Sequence, residues 1–398
     1  MSAWLIFLLC FLAIAIGWLL GRFPLSEFWR RFRNRGWHES YMQGIHLLLN
    51  EQSDQAIETF LQQWQVSQEN FELHNALANM LRKKGEVDRA VRIHAGLVEC
   101  NKLSQTQVRQ ATIELANDYI AAGLLDRAER LLINVVNNGR FYDERALELL
   151  QRVYQTENEW GKAITVAEQL LPRRTLSFTN SSLVSGRQTT EIAQYYCEMA
   201  EEALAEDNFS EVEKNLQQAL RIEPDCGRAR LMQARMATER GRFEQARQAI
   251  MQLADEDPGL LAETLNLLAD CFTDDYQGLF DYLLKLLDKY PSAALEIAAY
   301  QTLVKVNIEQ AGRFLWQRVR RRPTLAGINT LVQHKLSENE PLGLDYLPLL
   351  QQIVADVLKQ KAIYRCRECG FSGVQMHWLC PQCKSWDSIR RIRGSEGD

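Results

Sequence analysis

Seven stretches of this chain are variations on one pattern, and that pattern constrains the fold more than any other feature. EQSDQAIETFLQQW begins at Glu51, GEVDRAVRIHAGLV at Gly85, GLLDRAERLLINVV at Gly123 and NEWGKAITVAEQLL at Asn158. DNFSEVEKNLQQAL begins at Asp207, GRFEQARQAIMQLA at Gly241 and DDYQGLFDYLLKLL at Asp274. Each is a turn followed by an amphipathic helix. The sixth place is Ala56, Ala90, Ala128, Ala163 and Ala246, with Val212 and Leu279 as departures. Successive starts differ by 34, 38, 35, 49, 34 and 33 residues. A second helix precedes the turns, and before five of the seven it carries a small residue (Gly44, Ala78, Ala116, Ala200, Ala234) where two helices must approach closely. Pro224, Pro258 and Pro291 each stand 17 residues past their turn position. A proline there ends the second helix of one unit and opens the next.

A recurring helix pair with a period near 34 resembles the tetratricopeptide family, over about Ser40 to Pro291. The resemblance implies an all-α superhelix whose groove holds peptides, helices or other proteins. The 49-residue step marks an insertion at 172–188, PRRTLSFTNSSLVSGRQ, rich in Ser, Thr and Arg and expected to be a loop between two blocks of repeats. From 292 to 361 the repeat fades while AALEIAAYQTLVKV and LDYLPLLQQIVADVL stay amphipathic, which predicts further degenerate helix pairs. Arg318, Arg320, Arg321 and Arg322 cluster in this region, either as a solvated helix end or as a surface for an acidic partner or lipid phosphate. The six histidines are scattered, and neither a nucleophile elbow nor a phosphate-binding glycine loop is present, so the chain reads as a non-enzyme.

At the other end, Ala3 to Leu20 is AWLIFLLCFLAIAIGWLL, eighteen uncharged residues. That is long enough to cross a hydrocarbon core as a helix. Arg22, Arg30, Arg31, Arg33 and Arg35 follow it and no basic residue precedes it, so the positive-inside bias places the body in the cytoplasm. Phe28, Trp29, Phe32 and Trp37 alternate with these arginines, as an interfacial belt on an anionic leaflet would. The alternative of a cleaved signal peptide lacks its basic start and its small-residue cleavage site. The expected organisation is an anchor at 1–21, a basic and aromatic juxtamembrane segment at 22–39, repeats at 40–291, degenerate helical repeats at 292–361 and a metal-binding unit at 362–398.

That last unit rests on cysteine spacing. Five of the nine cysteines are scattered singly, whereas Cys366, Cys369, Cys380 and Cys383 form two C-x-x-C pairs. This suits a reducing compartment with one four-thiolate site, for zinc or iron, rather than a disulfide framework. Gly370 suits the left-handed turn of a knuckle, Pro381 stiffens the second pair, and the ten residues between the pairs allow a short hairpin. So short a segment gains most of its folding free energy from the metal. Tyr364, Phe371, Trp378 and Trp386 are expected to cover the metal and to meet neighbouring helices.

The knuckles resemble those of rubredoxins, although CREC lacks the proline that CPQC has. Over its whole length the chain resembles the lipopolysaccharide assembly protein B family of Gram-negative bacteria. GEVDRAVRIH, DYIAAGLLDRAE, YRCRECGF and HWLCPQCKSWDSIRRIRG are the most specific strings. The resemblance implies an inner-membrane adaptor, single-pass with its body on the cytoplasmic side. Such an adaptor promotes degradation of the lipid A-committing deacetylase LpxC by the membrane protease FtsH, and gathers other lipopolysaccharide-assembly membrane proteins. It leaves oligomeric state open. Two other readings stand beside it. One is a rubredoxin-like redox or metal-sensing protein on a protein-binding scaffold. The other is a zinc ribbon that binds nucleic acid through Lys384, Arg390, Arg391 and Arg393, which a net charge of −5 disfavours.

Overall fold

A computed structural model describes residues 66–138, 143–171, 181–337, 351–352, 354–355 and 361–392. The repeat at Glu51, the apolar run from Ala3 to Leu20 and the segment 22–39 lie outside the described residues. No described helix is long and apolar enough to cross a membrane.

The described body is helical: α1 Phe71–Lys83, α2 Val87–Val98, α3 Gln105–Ala121, α4 Leu125–Asn138, α5 Glu144–Thr156, α6 Trp160–Leu170, α7 Ser181–Ala205 and α8 Phe209–Ile222. It continues with α9 Gly227–Glu239, α10 Phe243–Glu256, a 3₁₀ helix Pro258–Thr264, α11 Leu265–Phe272, α12 Tyr276–Lys289, α13 Ala293–Val306, α14 Ile308–Arg321 and α15 Leu325–Ser337. The all-α expectation needs one correction. The C-terminal unit carries a three-stranded antiparallel sheet, β1 Tyr364–Cys366, β2 Ser372–Gly373 and β3 Ile389–Arg391, in the order β2-β1-β3. Between the cysteine pairs, where a short hairpin is expected, the described residues form the single strand β2, which pairs with β1 across the first knuckle. The chain beyond the second cysteine pair returns to add β3 on the other side of β1.

The repeat register comes from the turns. Gly85, Gly123, Asn158, Asp207 and Gly241, each the first residue of a repeat string, all have positive φ. In each turn the next amide bonds five residues back: Glu86 to Leu81, Leu124 to Tyr119, Glu159 to Tyr154, Asn208 to Ala203 and Arg242 to Ala237. This is the Schellman closure, in which a left-handed residue lets the chain satisfy the last carbonyls of a helix before turning back. In the final repeat the left-handed residue is Thr273, one place ahead of Asp274. Asp275 and Asp257 instead accept from the amides of Gly278 and Gly259, capping the helices that follow them. A Cβ at Gly123 would touch nothing, so Gly123→Ala tests backbone strain alone. It is expected to cost about 1 kcal/mol, and Asp207→Gly to stabilise by a similar amount, as shifts of the urea midpoint at constant slope.

The sixth-place residues are the knobs between paired helices. Ala90, Ala128, Ala163, Val212 and Ala246 are wholly buried and Leu279 nearly so, as are Ala78, Ala116, Ala200 and Ala234 opposite them. Within the expected loop at 172–188, residues 172–180 lie outside the described residues, and from Ser181 onward the chain is already helical in α7. Once Ile192, Ala193 and Cys197 bury one face of α7, adding turns at its N-terminus costs little, and Ser and Thr are tolerated there.

The described chain divides into two compact units, at Ala146 and Leu147. In the first, Phe71, Leu77, Leu81, Ile93 and Leu97 form an apolar cluster, and a largely buried ionic network joins α1, α2 and α3. Arg82 spans two carboxylates, 2.6 Å from Asp118 and 3.0 Å from Glu114, and Arg145 also pairs with Glu114. His94 Nδ1 stands 2.5 Å from Asp118. The second unit holds the later repeats and the C-terminal sheet. One of its aliphatic clusters is rich in leucine, with Ile250, Leu261, Leu268, Leu283, Leu286 and Leu295 packed together.

Candidate metal centre

Both cysteine pairs adopt the same backbone turn. In the first, Gly370 N–H donates to Cys366 O at 3.1 Å and Cys366 N–H to Phe371 O at 2.7 Å. In the second, Lys384 N–H donates to Cys380 O at 2.9 Å and Cys380 N–H to Ser385 O at 3.0 Å. Gly370 has φ +76° and Lys384, at the equivalent place, φ +58°. The left-handed turn expected at Gly370 therefore occurs twice, once on a residue with a side chain.

This geometry brings the four sulfurs within 4.8 Å of one another. Cys366 Sγ is 3.7 Å from Cys383 Sγ, and Cys369 Sγ is 3.7 Å from Cys380 Sγ. A tetrahedral ion with metal–sulfur bonds of about 2.3 Å needs sulfur–sulfur edges of about 3.8 Å. A disulfide needs about 2.05 Å. The donor set thus fits one tetrahedral ion, and its chemistry suits zinc or iron equally. Burial pushes the Cys366 thiol up, but Ser388 and the amides of Cys369 and Glu368 outweigh it and bring it down to about 6. The Phe371 amide favours the Cys369 thiolate. Desolvation and the sulfurs of Cys383, Cys366 and Cys380 oppose it, and Cys369 is pushed up to about 12. Four thiolates crowd one another until a cation neutralises them, which is the electrostatic condition of a metal site.

The aromatic residues divide the work. Tyr364 joins Cys366, Cys380 and Ile389 in a small core, with Phe371 and Met376 against it. Trp378 and Trp386 instead face the helical repeats. Trp386 meets Trp160 and Tyr195 edge-on, at centroid distances of 6.4 and 5.9 Å, and these two stack on each other at 5.8 Å. Arg228, 2% exposed, lies 5.6 Å from the Trp378 ring and 6.0 Å from the Trp386 ring. Its guanidinium reaches Glu198 at 2.8 Å and Glu201 at 3.0 Å. Around this aromatic seat, Arg390 pairs with Asp257 at 3.0 Å and Arg391 with Glu263 at 3.3 Å, while Tyr364 Oη donates to Glu263 at 2.6 Å.

Spacing alone could not find this seat. Trp160 occupies the third place of its repeat, where Val87, Phe209 and Phe243 also stand, so it reads as ordinary repeat core. Arg228 was the available signal: a cation four residues before Met232, on the apolar stripe of α9. The pairing also corrects the basic surface considered for nucleic acid. Arg390 and Arg391 are committed to carboxylates of the same chain, and Arg393 lies outside the described residues.

Comparison with known proteins agrees with this architecture. Tetratricopeptide repeat models match residues 73–100 and 203–271, and a model described as a rubredoxin metal binding domain matches residues 364–391. Lipopolysaccharide assembly protein B of Escherichia coli K12 is 31% identical over 401 residues, covering 99% of each chain. The chain belongs to the lipopolysaccharide assembly protein B family. The Haemophilus influenzae member is 31% identical, over 98% of this chain and 99% of its own. Among solved structures, the assembly chaperone of RpL4 covers 61% of this chain and 98% of its own at 14% identity, with a TM-score of 0.37. A tetratricopeptide repeat protein from Parabacteroides merdae covers 72% and 99% at 14% identity, with a TM-score of 0.34. The metal-binding match spans both knuckles and all three strands described above. The strings GEVDRAVRIH and DYIAAGLLDRAE supply His94 and Asp118, which meet in the first unit's ionic network.

Proposed function

We propose that this protein is a non-enzymatic adaptor of the bacterial inner membrane that controls lipopolysaccharide synthesis. In this reading Ala3 to Leu20 is a single-pass anchor, 22–39 lies along the cytoplasmic leaflet, and the body works in the cytoplasm. The repeats at 40–291 and the degenerate repeats at 292–361 present LpxC to the membrane protease FtsH and gather other lipopolysaccharide-assembly membrane proteins. Cys366, Cys369, Cys380 and Cys383 hold one zinc or iron ion. The ion is structural: it makes the unit at 362–398 rigid enough to seat on the repeats.

The observation that carries the reading is the end-to-end match to lipopolysaccharide assembly protein B, at 31% identity over 99% of the chain. The physical argument agrees with it. Stacked helix pairs offer extended surfaces for other proteins and carry no inherent chemistry. Confinement to the membrane plane raises the effective concentration of such a scaffold near a membrane protease.

The test is the half-life of LpxC in cells of the source bacterium. It is expected to lengthen several-fold on deletion of the gene, and to lengthen likewise when Cys380 and Cys383 are both serine. An unchanged half-life in the deletion strain would sink the adaptor reading. A longer half-life in the deletion strain alone would leave the adaptor role and remove the metal unit from it.

A further inference from the structure

The arginine cluster noted in the sequence has a defined place in the fold. Between Gly312 and Pro323 the chain carries five arginines, Arg313, Arg318, Arg320, Arg321 and Arg322, and no acidic residue, in a protein whose net charge is −5. Ala311 and Leu315 bury one face of α14. Helical spacing puts Arg313, Trp316 and Arg320 together on the opposite face. There Trp316 is 55% exposed, a large apolar ring left in solvent beside cations. Arg318 lies over the Phe314 ring at 5.4 Å and Arg313 is 3.6 Å from Glu309, while Arg320, Arg321 and Arg322 are exposed.

Arginines at a helix C-terminus interact favourably with its dipole, which accounts for some of the charge. It does not account for Trp316. An indole at headgroup depth with guanidinium groups against phosphates is the combination that an anionic bilayer surface selects. We infer that the exposed face of α14 is a peripheral contact for anionic phospholipid headgroups. The contact is additional to the segment 1–39 and holds part of the second unit against the leaflet. This inference rests on the proposed anchorage at Ala3 to Leu20.

The test uses the full chain reconstituted into vesicles of phosphatidylcholine with and without phosphatidylglycerol. A water-soluble, arginine-selective dicarbonyl labels accessible guanidinium groups, and mass spectrometry reads each site. Labelling of Arg320 and Arg321 is expected to be about tenfold slower on the anionic vesicles and to recover in molar salt. Brominated lipid is expected to quench the wild-type fluorescence more than that of Trp316→Phe. Equal labelling on both vesicle types, with the chain still bound after an alkaline wash, would overturn the lipid contact and spare the anchor. Release by the alkaline wash would overturn the anchor, and the labelling contrast on unwashed vesicles would still decide the patch. Protection in native membranes without protection on anionic vesicles would assign the patch to an acidic protein and overturn the inference.

Discussion

Cys380→Ser is expected to unfold the C-terminal unit while leaving the helical repeats folded. Cys380 is wholly buried, and its sulfur is one corner of the four-thiolate cluster. Among the described residues, its local core joins it to Tyr364, Cys366 and Ile389, with Phe371, Met376 and Cys383 at the edge. So small a core cannot offset the conformational entropy of the chain that it orders. Structural zinc contributes about 10 kcal/mol or more to such units, and losing one ligand forfeits most of it. Hydrogen exchange is the direct readout. Amides of Tyr364, Cys366 and Ile389 should lose protection, while those of α7 to α10 keep most of theirs. Bound metal should fall from one ion per chain to a small fraction. A variant that retained one ion and a protected sheet would show that Cys380 is not a ligand.

The second large effect is expected at Arg228. Arg228→Ala removes a guanidinium that touches two tryptophans of the C-terminal unit and two glutamates of α7. The glutamates soften the loss, because Glu201 is half exposed and Glu198 partly so, and water can take the arginine's place. What water cannot replace is the stacked cation between Trp378, Trp386 and the helices. The expected cost is about 2–3 kcal/mol, expressed as undocking of an intact metal unit rather than loss of metal. Arg228→Lys keeps the charge without the planar fork and should recover less than half of that. Tryptophan emission should shift to the red in Arg228→Ala at unchanged metal content. Emission identical to wild type would mean that Trp160, Tyr195 and the Arg390–Asp257 and Arg391–Glu263 pairs hold the unit without Arg228.

The two variants separate what was legible in the sequence from what was not. The four cysteines were legible because metal ligation demands fixed residue types at fixed spacing. The helix pairs were legible because a left-handed turn residue and a small sixth-place residue recur. Even the exception at Thr273 moved the turn by a single residue. The seat of the metal unit was not legible. It joins residues such as Tyr364 and Glu263, which are 101 positions apart, through side chains that each fit a local pattern for another reason. Trp160 passes for repeat core, and Asp257 also caps the 3₁₀ helix that follows it. The helix start at Ser181 was missed because Ser and Thr lower local helix propensity, while the burial that supports α7 lies farther along the chain. The sheet was missed because its strands have only three, two and three residues, too few for any periodicity to register.

The bond from Tyr364 to Glu263 also changes the connectivity of the second unit. In an open array of repeats each pair touches only its neighbours, and the last pair frays because nothing lies beyond it. Here the chain runs out through α11 to α15 and is then pinned back at the point where that excursion began, beside the 3₁₀ helix. The terminal repeats become the interior of a closed loop, clasped at its base by the metal unit. The clasp is non-covalent and forms only in the folded chain, so its contacts favour the ordered over the frayed arrangement of the helices inside a loop of about a hundred residues, and opening it lowers the stability of helices that touch no ligand. A single ion can thereby govern how cooperatively some hundred residues hold together.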